Sequence, residues 1–343
     1  MLITDFDYHL PDELIAQKPA ESRAESRMMV LKRAEKKWRD AHFYDLPEML
    51  GEDDLLVLNN TKVFPARLFG RSETGARVEL FLARETGDGV WETLARPARR
   101  LKPGKKIIFS ERLEAEVLEK TEEGRVSVRF AAEGDFERIL DEIGRTPLPP
   151  YIKRSTGDRN EDRERYQTVY ARKRGAIAAP TAGLHFTPQI LEKIEKRGAE
   201  IAEITLHVGY GTFEPVRVAD LSQHSVLPER CEISEQTARA INRAKSENRR
   251  VVAVGTTTTR ALESAVDTEG KIVPGDRLAE LTITPGYEFK AIDGLLTNFH
   301  LPQSSLLVLV STFGGYQFIM DAYRHAVQSR YRFYSYGDCM LIL

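Results

Sequence analysis

Between residues 67 and 130 the chain carries five short apolar runs, at 78–82, 90–94, 106–109, 113–118 and 126–130. Turn residues separate them at Gly75, Gly87-Asp88-Gly89, Pro103-Gly104 and Gly124. Strands this short and this regularly spaced predict a small barrel or sandwich. In the last run Val126, Val128 and Phe130 alternate with Ser127 and Arg129, the period of a strand with one buried face. Residues 135–143 then predict a helix ended by Gly144, and Pro147, Pro149 and Pro150 mark a boundary.

Outside this stretch the pattern changes to helices alternating with apolar strands. Thr187 as cap, Pro188 in the first turn and Gly198 as terminator bracket a helix carrying Ile190, Leu191 and Ile194. Strands are expected at 55–58, 201–208 and 251–254, and further helices at 235–245 and 257–266. The expected fold class is a layered α/β main domain, discontinuous over 1–66 and 146–343, with a small all-β barrel domain inserted at 67–145. A chain of 343 residues is long enough for both.

Composition excludes several classes. With 41% hydrophobic and 30% charged residues the chain is globular. Its longest apolar run, 306–310, is far short of the roughly 20 residues that span a bilayer, so no membrane partner is expected. The segment from Met1 to Asp7 is acidic where a signal peptide is basic, which points to the cytoplasm. Cys231 and Cys339 are too far apart in sequence for a redox or zinc motif, no His-Glu-x-x-His pair occurs, and no metal is expected.

Fifty basic residues against fifty-two acidic ones argue against a dedicated nucleic-acid binder until their distribution is considered. Arg96, Arg99, Arg100, Lys102, Lys105 and Lys106 crowd one stretch without an acidic residue. Lys153-Arg154 and Arg172-Lys173-Arg174 bracket a segment holding Tyr151, Tyr166 and Tyr170. Such groups suit RNA phosphates and unpaired bases, and a solvated face explains them equally well.

Three histidines, His185, His207 and His300, sit at predicted element ends, where proton-transfer groups are commonly presented, although a lone histidine is more often structural. The strand at 251–254 runs into Gly255-Thr256-Thr257-Thr258-Thr259-Arg260, which would aim amides and hydroxyls at an anion or a ribose; a plain threonine-capped helix is the alternative. Gly209-Tyr210-Gly211 has two glycines of a dinucleotide fingerprint but Glu214 in place of the third, which disfavours that fold.

Ordered motifs extend these fragments almost end to end. They include Asp5-Phe6-Asp7-Tyr8, Leu58-Asn59-Asn60-Thr61-Lys62-Val63-Phe64-Pro65-Ala66-Arg67 and Gly144-Arg145-Thr146-Pro147-Leu148-Pro149-Pro150-Tyr151. They continue through Tyr166-Gln167-Thr168-Val169-Tyr170, Ala179-Pro180-Thr181-Ala182-Gly183-Leu184-His185-Phe186-Thr187, Leu206-His207-Val208-Gly209-Tyr210-Gly211, Gly255-Thr256-Thr257-Thr258-Thr259-Arg260 and Thr297-Asn298-Phe299-His300-Leu301-Pro302. Together they resemble the S-adenosylmethionine:tRNA ribosyltransferase-isomerases of queuosine biosynthesis.

The resemblance implies a cytoplasmic, monomeric enzyme with an α/β domain and an inserted barrel. Its partners would be S-adenosylmethionine, consumed as ribosyl donor with no recycled cofactor, and tRNA carrying 7-aminomethyl-7-deazaguanine at the wobble position. The products would be epoxyqueuosine, adenine and methionine. Within the matched motifs His185 or His207 is expected as a base and His300 as a second proton-transfer group or base contact. Asn59, Asn60, Lys62, Arg67, Thr181, Tyr210, Thr256, Thr257, Thr258 and Arg260 are expected to bind substrate. Arg96, Arg99, Arg100, Lys102, Lys153 and Arg154 are expected to contact tRNA. Two other classes stay open at this point, a methyltransferase or related small-molecule nucleotide enzyme and a non-catalytic RNA-binding module. Neutralising Arg99, Arg100 and Lys102 together should lower tRNA affinity more than S-adenosylmethionine affinity, which titrations of the two ligands at fixed salt would measure.

Overall fold

A computed structural model describes residues 1–121, 125–154, 160–213 and 216–343. Glu214 and the side chain of Arg100 lie outside the described residues. The amino-terminal part supplies β1 (Arg27–Lys32), β2 (Lys37–His42), β3 (Asp54–Asn59) and the short β4 (Thr61–Val63). Six strands follow: β5 (Arg67–Ser72), β6 (Arg77–Gly87), β7 (Val90–Arg96), β8 (Lys106–Ser110), β9 (Leu113–Lys120) and β10 (Arg125–Ala132). Then come α1 (Phe136–Ile143), α2 (Asn160–Arg165), β11 (Lys173–Ala176), α3 (Pro188–Lys196), β12 (Glu200–Leu206), β13 (Glu229–Ile233), α4 (Glu235–Ser246) and β14 (Arg250–Val254). The chain closes with α5 (Thr256–Glu263), β15 (Gly275–Ala279), β16 (Gly294–Asn298), α6 (Ser305–Gly314), α7 (Tyr316–Gln328) and β17 (Cys339–Ile342).

Among the described residues, nine strands form one mixed sheet in the order β15-β13-β12-β3-β14-β16-β17-β1-β2. Its centre, β12-β3-β14-β16, is parallel throughout. All six residues of β3 are buried, because both faces of the sheet are covered. Leu55 and Val57 pack with Ile241 of α4, Leu262 of α5 and Leu309 of α6. Leu56 and Leu58 point the other way, into a cluster with Phe43, Phe186 and Ile190 and Ile194 of α3. The alternation of a strand thus splits one apolar run between two layers of helix. Thr187 caps α3 by accepting from the Ile190 amide (3.2 Å), with Pro188 in the first turn and Gly198 at φ +90° just beyond the end.

β5 to β10 close into a barrel in the order β10-β7-β6-β5-β8-β9. Val126, Val128 and Phe130 do alternate inward, and Ile139 and Leu140 of α1 join the same core. Arg67 and Arg145 exchange two backbone hydrogen bonds (3.2 and 2.8 Å), which tie the entry and exit of the barrel segment together. Phe64, Ile177 and Tyr210 from outside the barrel pack against its core.

Elements that lack strong local signals have no counterpart among the sequence expectations: β1, β2, β4, the sixth barrel strand β5, β11, β13, β15, β16, β17, α2, α6 and α7. The apolar run at 306–310 lies within α6, which meets α7 at 117°; among the described residues no single helix is long and apolar enough to cross a membrane.

The central strands are locked where they end. Asn59 Oδ1 accepts from the Leu206 amide (3.0 Å) and the Thr61 amide (3.2 Å), while its Nδ2 donates to the Leu206 carbonyl (3.0 Å). Asn59→Ala strips partners from buried backbone groups and should lower unfolding free energy by about 3 kcal/mol, read from urea denaturation.

Candidate active site

The carboxyl ends of β12, β3, β14 and β16 lie along one edge of the sheet. β3 runs on to β12 on one side and has β14 on its other side, so the connections diverge there and leave a crevice. Residues after β14 and β16, with segments near 180 and 335, line a cleft at this edge. Past Leu306 and Tyr334 it meets an arm of about 170 Å³ lined on its apolar side by Leu227, Leu281, Leu301 and Leu309 and elsewhere by Glu229, Arg260 and Gln303.

One wall is the start of α5. Gly255 takes φ +94°, a left-handed conformation that glycine adopts without strain, and turns the chain from β14 directly into the helix. The first helical hydrogen bond runs from the Thr259 amide to the Gly255 carbonyl (3.1 Å), so the amides of Thr256, Thr257 and Thr258 precede the ladder. Thr258 and Thr259 turn their hydroxyls back onto the carbonyls of Val254 (2.6 Å) and Gly255 (3.2 Å). Thr257 does not. Its Oγ1 is buried without a hydrogen-bond partner, and the residue lines the cleft beside Thr256 and Thr181. Free amides, a spare hydroxyl and the positive end of the helix dipole together favour an anionic group.

His300 also lines the cleft. Its ring Nε2 pairs with Thr297 Oγ1 (2.9 Å), its amide donates to Tyr323 Oη (3.1 Å), and its carbonyl accepts from Tyr8 Oη. Burial pushes the imidazole pKa down to about 3, so the ring is neutral at pH 7. Tyr151 and Tyr334 meet edge to face, with centroids 3.8 Å apart, and Tyr151 Oη contacts Ser335 Oγ (2.5 Å). Neither Tyr334 nor Ser335 was singled out from the sequence; the aromatic run Tyr331, Phe333, Tyr334, Tyr336 was the available signal.

A family model described as queuosine biosynthesis protein matches residues 3–342. The S-adenosylmethionine:tRNA ribosyltransferase-isomerases of Syntrophotalea carbinolica and Geotalea uraniireducens are 49% and 51% identical to the chain, each with full coverage of both sequences. The crystal structure of the S-adenosylmethionine tRNA ribosyltransferase of Thermotoga maritima is 37% identical, covers 99% of this chain and 100% of its own, and superposes with a TM-score of 0.56. The chain belongs to the S-adenosylmethionine:tRNA ribosyltransferase-isomerase family.

In this ribosyltransferase-isomerase family member the other expected residues divide sharply. His185 lies behind the cleft, packed 5.3 Å from the Phe43 ring, in a small cavity that shares Ser335 with the cleft. Burial lowers its pKa to about 4, against an opposing contribution from the Asn298 amide. His207 is not brought to the cleft: Val208 lines it, and His207, one residue earlier, binds Thr61 Oγ1 through Nδ1 (2.8 Å). Its ring fills the space over Gly175, where a Cβ would come within 2.6 Å. Burial, then Arg230 and Lys173, lower the His207 pKa.

Asn59 and Asn60, both expected to bind substrate, are engaged by β12. Asn59 joins β3 to β12, and Asn60 donates to Glu203 (2.9 Å) and accepts from Thr205 (2.8 Å) on the far side of β12. Tyr210 packs on Phe81 of the barrel (5.6 Å), Arg67 pairs with Glu79 (2.5 Å), and Lys62 is exposed on β4. Of the expected tRNA contacts, Arg96, Arg99, Lys102 and Lys153 are exposed. Arg154 is less exposed: it grips Asp162 through two hydrogen bonds (2.7 and 2.6 Å) and donates to the Gln17 carbonyl (2.8 Å), which braces its own loop. No group of three potential metal ligands occurs among the described residues.

Arg260, expected to bind substrate, lines the arm that adjoins the cleft. Its guanidinium is buried against Glu229 (2.7 Å) and donates to the carbonyls of Leu281 (3.2 Å), Ala279 (3.0 Å) and Leu227 (3.3 Å). Glu229 in turn accepts from the Gly209 amide (2.9 Å). Its hydrogen bonds among the described residues are all internal, so the residue holds the arm in shape while lining it. Arg260→Met leaves a buried carboxylate unpaired and should cost about 3–5 kcal/mol of stability in urea denaturation. Because burial already raises the Glu229 pKa, mild acid should return part of that loss by protonating it.

Proposed function

We propose that the cleft binds S-adenosylmethionine and transfers its ribosyl carbons, with isomerisation, to 7-aminomethyl-7-deazaguanine at the wobble position of tRNA. The products are epoxyqueuosine in the tRNA, free adenine and methionine. The carrying observation is the partnerless Thr257 hydroxyl at the positive start of α5, in the same cleft as a neutral histidine. The amino-acid end of the donor supplies a carboxylate for α5, and the leucine-lined side of the arm suits a flat or aliphatic portion of the same molecule. The relatives are named for both S-adenosylmethionine and tRNA, which supports this choice of substrates.

The sulfonium acidifies the ribose carbon attached to sulfur, so a positioned acceptor is needed for that proton. The tRNA amine must reach the ribose uncharged, and adenine leaves more readily when a ring nitrogen receives a hydrogen bond. His300 is the group we place against the reacting ribose, because it lines the cleft and burial keeps its ring neutral, and so unprotonated, at pH 7. His185 then supports the wall from behind. S-adenosylmethionine is consumed in this reaction with no recycled cofactor or metal, and a tRNA substrate fits a cytoplasmic protein.

Incubation with S-adenosylmethionine and tRNA bearing the aminomethyl base, followed by mass analysis, should yield epoxyqueuosine with adenine. S-adenosylhomocysteine as product would instead indicate methyl transfer. His300→Gln should lower kcat by about 10²–10⁴ while S-adenosylmethionine affinity changes little. A histidine whose pKa is lowered to about 3 stays neutral as pH falls through 6.5, so the acid limb of wild-type kcat should show no inflection near 6.5 from this group.

A further inference from the structure

A second cavity, of about 410 Å³, opens where the chain enters and leaves the barrel, and Tyr166 is a wall common to it and to the cleft. We propose that this cavity holds a backbone phosphate of the RNA substrate and so fixes where the strand lies when its base reaches the cleft. The inference rests on the function proposed above.

Two buried polar atoms there lack hydrogen-bond partners. Thr168 is 5% exposed and its Oγ1 has none, and Arg174 Nη2 has none although Nη1 of the same guanidinium binds both oxygens of Asp141 (2.9 and 3.1 Å). A buried donor without a partner is a standing cost that a ligand can remove. In the parallel pair β4–β11, Lys62 lies directly opposite Arg174, so two cations face each other across the strands. Lys62 forms no ion pair among the described residues. Arg23 and Arg163 also line the cavity, against Asp141 and Glu164.

An anion with several acceptor oxygens answers both features, because it neutralises the paired cations and accepts from the spare guanidinium nitrogen and the hydroxyl. S-adenosylmethionine carries no phosphate, so the substrate that brings one is the RNA.

The test uses the full-length protein, a tRNA transcript and S-adenosylmethionine, each titrated separately. Thr168→Val keeps the side-chain shape and deletes a hydroxyl with no internal partner. It should melt at or above the wild-type temperature yet bind tRNA about tenfold more weakly. Lys62→Gln, on an exposed side chain, should weaken tRNA binding and reduce the slope of log affinity against log salt by about 1. S-adenosylmethionine affinity should not change in either variant. Wild-type tRNA affinity in both variants would overturn the proposal. Inorganic phosphate raising the wild-type melting temperature while both variants keep full tRNA affinity would mark a free-anion site and overturn the RNA assignment. If the variants lose tRNA affinity while the wild type never releases adenine, the phosphate site stands and the proposed reaction falls.

Discussion

Hydrogen bonding among β12, β3, β14 and β16 in one parallel direction is the constraint on which the rest of the molecule depends. Parallel strands need crossovers, the crossovers cover both faces, and coverage forces β3 to be apolar at successive positions. It also delivers every carboxyl end to a single edge. Asn59 fixes that edge by bonding to both the amide and the carbonyl of Leu206. The cleft is therefore a by-product of strand direction, and its chemistry comes from what each strand carries just past its last residue.

Those residues show how burial chooses a role. Thr256 to Arg260 look alike in sequence as a hydroxyl-rich helix start ending in a cation. In the structure Thr258 and Thr259 bond back to the strand end, Arg260 is enclosed with Glu229, and Thr257, in the lining of the cleft, retains a hydroxyl without a partner. Likewise His300 and His207 both follow strand ends. The alternation of side chains past β12 sends His207 to Thr61, whereas His300 is enclosed at the cleft wall and held neutral.

The architecture was legible because its signals are local: turn residues at regular intervals in the barrel, the Thr187, Pro188, Gly198 punctuation of α3, and the apolar run of β3. β13 and β15 have no such signal. Their stability comes from pairing with each other and with β12, and half-exposed sequences such as Glu229–Ile233 do not display that pairing locally. The site was legible as a set of segments and illegible as a set of roles. Asn60, Arg154 and Arg260 have the polarity of ligand-binding groups, yet their partners are Glu203, Asp162 and Glu229, residues 143, 8 and 31 positions away. Tyr334 and Ser335 enter the cleft from the far end of the chain, and sequence adjacency offers no way to bring them there.

The central claim, that the start of α5 receives the amino-acid end of S-adenosylmethionine, is tested most directly by a crystal structure with that ligand bound. The expected result is carboxylate density within hydrogen-bond distance of Thr257 Oγ1 and the amides of Thr256 to Thr258, with the ribose beside His300. Density placing the carboxylate against Arg174 and Lys62 in the neighbouring cavity, with the α5 start unoccupied, would contradict it.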